Sequence, residues 1–242
     1  MEKAIVSPDA SDPEGAAVMF VERAIQTRRA VRQFLPTPIP IETVRRIIQV
    51  ASRAPSGNNA QPWQVRVLTG ASKQKLVDAI LGDLFTTQLE RPAVAEFNPY
   101  PTEWKSPFNE RRKEVGVGMY TLLGIAKGDK KAMREQGVRN FKFFDAPVGM
   151  IFTLDRAFVP ASAVDLGMFL GNITTLARAH GIDTCPQAAF AVQHAIVRQT
   201  LKVPENEVIM CGMALGYADH TAPIDKLVTS RMPLEEYVIE MN

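Results

Sequence analysis

Cysteine and long apolar runs are both scarce in this sequence. Only two of the 242 residues are cysteines, Cys185 and Cys211, and they form no CxxC pair. A disulfide framework is therefore excluded, and a reducing compartment is expected. No stretch approaches the roughly 18 apolar residues of a membrane span. The first residues carry acids and Pro8, where a secretory signal needs an apolar run. We expect a cytoplasmic protein without membrane contact.

Excess charge of either sign is also missing. The net charge of +2 is too small to indicate a nucleic-acid partner by itself. The apolar content of 46% and charged content of 22% are those of an ordinary folded protein. At this length one domain can bury a sizeable core.

The common sequence motifs of catalysis are absent. No GxGxxG follows a predicted strand, and there is no phosphate loop, HExxH or GxSxG. The three histidines, His180, His194 and His220, are far apart in sequence. A metal site or a Ser-His-Asp triad could arise from them only through the fold. We therefore predict no metal site, and although the spacing leaves a triad open, nothing marks a nucleophile.

Apolar periodicity predicts a mixture of helices and scattered strands, and hence an α+β fold. Predicted helices cover residues 17 to about 27–29, 41–51, 73–81, 110–127, 130–136, 163–180 and 192–201. Predicted strands cover residues 64–68, 148–154 and 207–217. Residues 1–16 are expected to be a flexible arm, residues 17–242 a single domain, and residues 218–242 an extended tail.

Three arginines, Arg28, Arg29 and Arg32, lie within five residues at the end of the first predicted helix. Arginine suits phosphate because its planar guanidinium can bond two oxygens at once. The same cluster could equally be a solvated basic helix end that offsets the helix dipole.

Residues 54–63 carry the most specific segment, APSGNNAQPW. Glycine and asparagine let a backbone approach a ligand closely, and the amides offer donors and acceptors. A plain helix-to-strand turn would not explain so many polar residues beside Trp63, so we predict a binding loop.

Residues 82–109 are broken by prolines and rich in aromatic residues, including Tyr100, Trp104 and Phe108. A long aromatic loop in a compact domain is more often functional than not. The sequence leaves two interpretations open, a lid over a bound ligand or an arm that wraps a second subunit.

Five segments together resemble the FMN-dependent nitroreductases, and they occur in that family's order between about Val21 and Val238. They are RRAVRQF, APSGNNAQPW, NFKFFDAPV, DTCPQAAF and GYADHTAPIDKLVTSRMPLEEYV. The resemblance implies an intertwined α+β homodimer with a mostly antiparallel central sheet flanked by helices. It also implies two FMN sites in the subunit interface, each built from both chains.

The resemblance assigns residues to the cofactor one motif at a time. Arg28 and Arg231 would meet the FMN phosphate, and Asn140 or Lys142 the pyrimidine end of the flavin. The family often has serine at Ala30 and lysine at Thr229, and many members have Glu-Gly at residues 188 and 189, so this chain departs from the pattern there. The cofactor residues implied are Arg28, Arg29, Arg32, Pro55, Ser56, Gly57, Asn59, Gln61, Asn140, Lys142, Pro186, Gln187, Ala188, Ala189 and Arg231.

The implied activity is a ping-pong transfer of hydride from NADH or NADPH, through flavin N5, to a small electron-poor acceptor. The resemblance thus implies that the flavin, and no catalytic side chain, carries the chemistry. A nitroaromatic reduced to hydroxylamine is the main expectation, with quinone-like acceptors also possible, and Tyr100, Trp104 and Phe108 would contact this substrate. A cation near N1 and O2, either Arg32 or Lys142, would stabilise the reduced flavin. Alternatives are an ene or quinone reductase, a reductive dehalogenase, a flavin-binding redox sensor without turnover and, last, a nucleic-acid module.

Overall fold

The computed structural model describes residues 13–86 and 95–241. Eight helices occur in these residues: α1 (Pro13–Thr27), α2 (Ile41–Ala51), α3 (Gly70–Thr86), α4 (Phe108–Leu122), α5 (Lys130–Val138), α6 (Ala163–Ala179), α7 (Ala189–Val192) and α8 (His194–Leu201). The strands are β1 (Trp63–Thr69), β2 (Val148–Asp155), β3 (Asp183–Gln187) and β4 (Glu207–Gly216).

The four strands form one antiparallel sheet in the order β1-β2-β4-β3. β2 and β4 occupy the centre, and nearly all of their residues are buried. β1 and β3 are the two edge strands, three strand positions apart. At about 4.8 Å per position, the edges of the sheet are separated by roughly 14 Å.

Apolar side chains cover both faces of the sheet, because adjacent strand residues point to opposite faces. On one face α2 and α6 pack Val44, Ile47, Phe169 and Ile173 against the strands. The other face carries apolar residues of α3 and α8 together with the segment before β2; among them are Leu76, Ile80, Phe143, Phe144, Phe190 and Val197. Helix α1 lies outside this arrangement, packed on α6.

Two aromatic rings lie flat on the second face because the central strands carry glycine beneath them. Phe143 and Phe190 stack with centroids 4.6 Å apart. A Cβ on Gly149 would lie 2.7 Å from two carbons of the Phe143 ring, and one on Gly212 would collide with the Phe190 ring. The stack joins the segment of Asn140 to the segment that follows β3.

Most predicted elements are confirmed within a few residues at their ends. Helix α1 begins at Pro13, four residues before the predicted start, and residues 1–12 of the predicted arm lie outside the described residues. Helix α3 extends to Thr86, into the segment predicted to be irregular, and residues 87–94 of that segment also lie outside the described part. The predicted tail contains short 3-10 turns at Pro223–Lys226 and Leu234–Glu236.

Strand β3 was not predicted. Pro186 lies inside it and cannot donate a ladder hydrogen bond, so the sequence DTCPQ does not indicate a strand. The structure accommodates the proline because β3 is an edge strand.

Candidate cofactor site

The arginine segment lies along the outer edge of β3. Ala30 forms a parallel bridge with Thr184, and the Val31 amide donates to the Thr184 carbonyl at 3.0 Å. Arg28 and Arg32 therefore lie on a stretch of backbone held against the strand that ends in Pro186 and Gln187. The predicted phosphate-binding cluster and the predicted ring-binding segment are thus brought together by main-chain hydrogen bonds.

The three arginines of the cluster have different surroundings. Arg29 is ion-paired with Asp225, with 2.7 Å between Nη2 and Oδ2, and it also donates to the Asp225 carbonyl. His220 reaches the same carboxylate at 2.9 Å. Across residues 13–86 and 95–241, Arg28 has no ion-pair partner, so its charge is available to a ligand.

Arg32 keeps its positive charge beside a neutral thiol. Its guanidinium donates to the Ala30 carbonyl at 3.2 Å. Burial raises the pKa of Cys185 to about 11, although the nearby charge of Arg32 acts in the opposite direction. The thiol is therefore protonated at neutral pH and does not neutralise Arg32.

A hydrogen bond between Gln187 and Asn140 joins the predicted cofactor segment of residues 186–189 to the predicted segment of Asn140 and Lys142. The Gln187 amide nitrogen donates to the Asn140 carbonyl at 2.6 Å. The Gln187 Oε1 and Thr184 Oγ1 atoms are buried and accept no hydrogen bond from the described residues. Buried polar atoms are rarely left without a partner, so these two are candidates for contact with a ligand or water. Lys142, two residues from Asn140, is exposed.

The predicted binding loop before β1 is exposed and has an unusual backbone. Asn58, Asn59 and Gln61 have φ values of 50°, 57° and 48°. Such left-handed conformations are uncommon in residues other than glycine and are concentrated at functional sites. The Ser56 hydroxyl accepts from the Gln61 amide at 3.0 Å, and the Gly57 amide points to the Asp165 carboxylate of α6 at 3.3 Å.

Arg231 lies elsewhere, beside α4. Among residues 13–86 and 95–241, its guanidinium bonds only to its own neighbours, Thr229 and Ser230. Together with Arg111 and Glu114 of α4 it lines a small polar cleft. No contact in the described part of the chain joins Arg231 to Arg28.

The predicted substrate-binding residues also lie at the start of α4. Tyr100 and Trp104 have ring centroids 6.2 Å apart, and Tyr100 and Phe108 are 50% and 60% exposed. We call Tyr100, Trp104 and Phe108 the aromatic surface. Trp104 and Phe108 of this surface line a cavity together with Pro101, Glu103 and Lys105.

One chain thus gathers some of the predicted residues and separates others. The arginine segment, Asn140 and residues 186–189 meet at the β3 edge. The loop of residues 55–61 precedes β1 at the opposite edge, and Arg231 lies with the aromatic surface at α4. No hydrogen bond or ion pair of the described residues joins these three groups directly, although the turn that carries Asp225, the partner of Arg29, packs on α4.

Comparison with known proteins shows the family to which the residues at the β3 edge belong. The sequence model of the Nitroreductase family matches residues 25–217, which include the arginine segment, Asn140, Gln187 and the whole sheet.

The chain belongs to the nitroreductase family.

Its relatives cover nearly the full length of this nitroreductase-family chain. The nitrobenzene nitroreductase of Ectopseudomonas oleovorans is 37% identical over 90% of the chain and 95% of its own length. The 4-nitrobenzoate reductase of Pseudomonas putida is 39% identical over 88% and 91%. The crystal structure of the FMN and NADPH-dependent nitroreductase NfnB from Sphigopyxis sp. strain HMH superposes with a TM-score of 0.88, at 33% identity, over 92% of this chain and 99% of that one. This chain is accordingly an oxidoreductase of that family.

Three residues of this nitroreductase-family site were missed at the sequence level. Thr184 lies in the strand that Pro186 concealed. Asp225 and Asp165 contact the arginine segment and the loop of residues 55–61 from distant parts of the chain. Nothing in the sequence marks either carboxylate, because each acts through a contact that only the tertiary fold creates.

Proposed function

We propose that this chain binds FMN and uses NAD(P)H to reduce small electron-poor aromatic compounds, with nitroaromatics as the main class. The observation that supports this most directly is the docking of the arginine segment on β3. It sets Arg28 and Arg32 on a stretch of backbone alongside β3, the strand that ends at Gln187, whose amide oxygen lacks a partner among the described residues. A planar group with a phosphate tail requires such a combination of cations and buried polar atoms.

The residues at the β3 edge fit FMN. Arg28 would bind the phosphate, and Arg32 and Lys142 would stabilise negative charge at the pyrimidine end of the ring. Gln187 would offer its amide oxygen to a ring donor, and the backbone of Ala188 and Ala189 would lie against the ring edge. When bound, FMN supplies the redox chemistry, taking hydride from NAD(P)H and passing electrons to the acceptor. The chain itself then needs no acid, base or nucleophile.

The protein's part in the reaction is to bind the cofactor and the substrates, to orient them and to cover the site. We propose that NAD(P)H and the acceptor occupy the same open face in turn, which gives ping-pong kinetics. The aromatic surface would stack on whichever flat molecule is present. Two electrons and two protons convert a nitro group to nitroso with loss of one water, and two more electrons and two more protons give the hydroxylamine, so each acceptor consumes two NAD(P)H. Since relatives are named for nitrobenzene and for 4-nitrobenzoate, these two compounds are the first acceptors to test.

We further propose a cytoplasmic homodimer. The loop of residues 55–61 and Arg231 lie apart from the β3 edge, so a second copy is needed to complete each cofactor site. Helix α1 packs one face on α6 but leaves Val18, Phe20, Val21 and Ile25 exposed, and contiguous exposed apolar residues are typical of interfaces. None of the helices in the described residues is long and apolar enough to cross a membrane.

The cofactor proposal is tested by FMN binding. We expect the purified protein to be yellow, and Arg28→Ala and Arg231→Ala to weaken FMN binding by at least about tenfold, since each removes a hydrogen bond to a charged group. Arg46→Ala removes an exposed arginine from α2 and serves as the control. Quenching of flavin fluorescence on titration gives the dissociation constants. A colourless protein that ignores added FMN would refute the proposal.

Turnover is tested without oxygen. NADPH or NADH should bleach the bound flavin, and nitrobenzene should restore its colour, with phenylhydroxylamine as the product. The flavin colour could instead return with an enone, a quinone or a halogenated phenol and not with nitro compounds. This result would indicate an ene reductase, a quinone reductase or a reductive dehalogenase, respectively. A flavin that NAD(P)H does not bleach would favour a sensor.

A further inference from the structure

The first turns of α4 place positive charge directly on the aromatic surface. The Arg112 guanidinium carbon lies 4.9 Å from the centroid of the Trp104 ring, and that of Arg111 lies 6.0 Å from the centroid of Phe108. Both distances are within the range of cation–π attraction. A flat molecule that stacks on Trp104 would therefore meet a guanidinium at its edge.

The two arginines differ in whether a carboxylate already pairs with their charge. Arg111 is 3.5 Å from the Glu236 carboxylate and 2.9 Å from the Met232 sulfur. Arg112 is exposed and has no acidic partner within residues 13–86 and 95–241. Trp104 positions the Arg112 guanidinium but leaves its outward N–H donors for another group.

The two charged side chains that line the cavity beside Trp104 are of opposite sign. Glu103 and Lys105 both line it, with 4.0 Å between the Lys105 Nζ and a Glu103 carboxylate oxygen. Arg112 does not line the cavity, but its guanidinium lies on the Trp104 ring and adds a positive charge that Glu103 and Lys105 do not offset. A carboxylate on a bound aromatic ring would find there the bidentate partner that suits its geometry best.

We propose that Arg112 is a specificity-determining residue that binds a carboxylate on the ring of the acceptor, so that the enzyme prefers nitrobenzoates to uncharged nitrobenzenes. This inference rests on the proposed function, because it assumes that the aromatic surface receives the acceptor. The carboxylate does not react. Its ion pair with Arg112 holds the ring on Trp104 while the nitro group, at the other end of the ring, faces the flavin.

The test compares two substrates that differ by one carboxylate. We expect the wild-type enzyme to have a higher kcat/KM for 4-nitrobenzoate than for nitrobenzene. Arg112→Gln should lower kcat/KM for 4-nitrobenzoate by about fivefold, the upper range for a solvent-exposed ion pair, and leave nitrobenzene nearly unchanged. Arg112→Lys should keep part of the preference. Lys113→Gln removes the same charge from the next position of the helix and should affect neither substrate selectively.

A second measurement does not depend on turnover. Benzoate has no nitro group, so its binding to the oxidised FMN-loaded enzyme can be followed by the change in flavin absorbance. Arg112→Gln should weaken benzoate binding about fivefold and leave benzamide binding unchanged. The effect on benzoate should also shrink as salt is added.

The results distinguish a failure of the proposed role of Arg112 from a failure of the proposed nitroreductase function. Equal losses on both nitro compounds in Arg112→Gln, or a wild type without preference for 4-nitrobenzoate, would overturn the role of Arg112 while leaving a nitroreductase. Reduction of neither compound would overturn the proposed function instead. In that case, weaker benzoate binding in Arg112→Gln would still support a carboxylate site at Arg112. Unchanged benzoate binding in this variant would exclude such a site.

Discussion

Arg29 and Arg32 stand three positions apart, yet their guanidinium groups have different partners. The sequence identifies the cluster as a phosphate-binding candidate but treats its members alike. The partner of Arg29 is Asp225, which is 196 residues away, and no local pattern announces it. Residue types and spacing thus predict that the cluster binds a phosphate, whereas the different surroundings of its members depend on a contact that the folded tail makes with Arg29.

A second ion pair, between Arg66 and Glu207, holds a carboxylate whose pKa is lowered. Arg66 bonds both carboxylate oxygens of Glu207, at 2.8 and 3.1 Å, and Thr153 also donates to Glu207. Burial acts to raise the pKa of Glu207, but the hydrogen bonds from Arg66 and Thr153 outweigh it and lower that pKa below its ordinary value of 4.5. Glu96, bonded to Arg156 and Arg198, likewise has a lowered pKa despite the opposing effect of burial.

We predict an acid-sensitive fold. A carboxylate whose pKa is lowered by folding stabilises the native state above about pH 4.5, and this contribution is lost as the pH falls below that value. Glu207→Gln should lower the free energy of unfolding at neutral pH by about 1–3 kcal/mol and make its decline in acid shallower. Urea unfolding followed by circular dichroism at several pH values measures both effects. Glu235→Gln, on the exposed tail, is the control, and an unchanged acid decline in Glu207→Gln would contradict the assignment.

At the scale of elements, strong periodicity predicted seven helices and three strands, whereas β3 was hidden. The reason is physical: a proline removes one ladder donor, and only an edge position, which depends on the whole sheet, makes that loss tolerable. The same limitation applies to the glycines of β2 and β4. Their role becomes visible only when Phe143 and Phe190 are seen lying on them.

We predict that Gly149→Ala disturbs both the sheet and the cofactor site. The added Cβ would lie 2.7 Å from the Phe143 ring, in a fully buried position, and overpacking of this kind costs about 1–3 kcal/mol. Displacement of Phe143 should also move Asn140 and weaken FMN binding. Thermal unfolding and flavin titration measure the two effects. Gly137→Ala in α5, where no atom lies within 4 Å, should be neutral or stabilising, and equal behaviour of the two variants would rule out this packing argument.

At the scale of the whole molecule, many large apolar side chains of the described residues are exposed. Besides α1, the tail exposes Val228 and Ile239 at 80% and 83%, and α4 buries none of its residues. The family resemblance predicted a homodimer, and these surfaces are where we expect the second copy to lie. One sequence cannot say which residues complete a site in the partner, because contacts between chains leave no periodicity within a chain.

We predict that Phe20→Glu weakens the dimer. Phe20 is 72% exposed on α1, so the change should not disturb the core of a single chain, but it would bury a charge in an interface. Light scattering coupled to size exclusion should show dimers for the parent and a shift toward monomers for the variant, together with loss of bound FMN. Gln49→Glu adds the same charge to α2 as a control. A parent that is monomeric and still holds FMN would show that one chain suffices.

Pro186 also affects the free edge of the sheet. In the part of the chain that the structure describes, the arginine segment bridges the outer edge of β3 only at Thr184. The end of the strand would otherwise present main-chain donors and acceptors to any extended peptide. A proline there has no amide hydrogen to offer. Pro186, which made β3 difficult to predict from the sequence, therefore also disfavours the pairing of this edge with a strand of another molecule and hence aggregation.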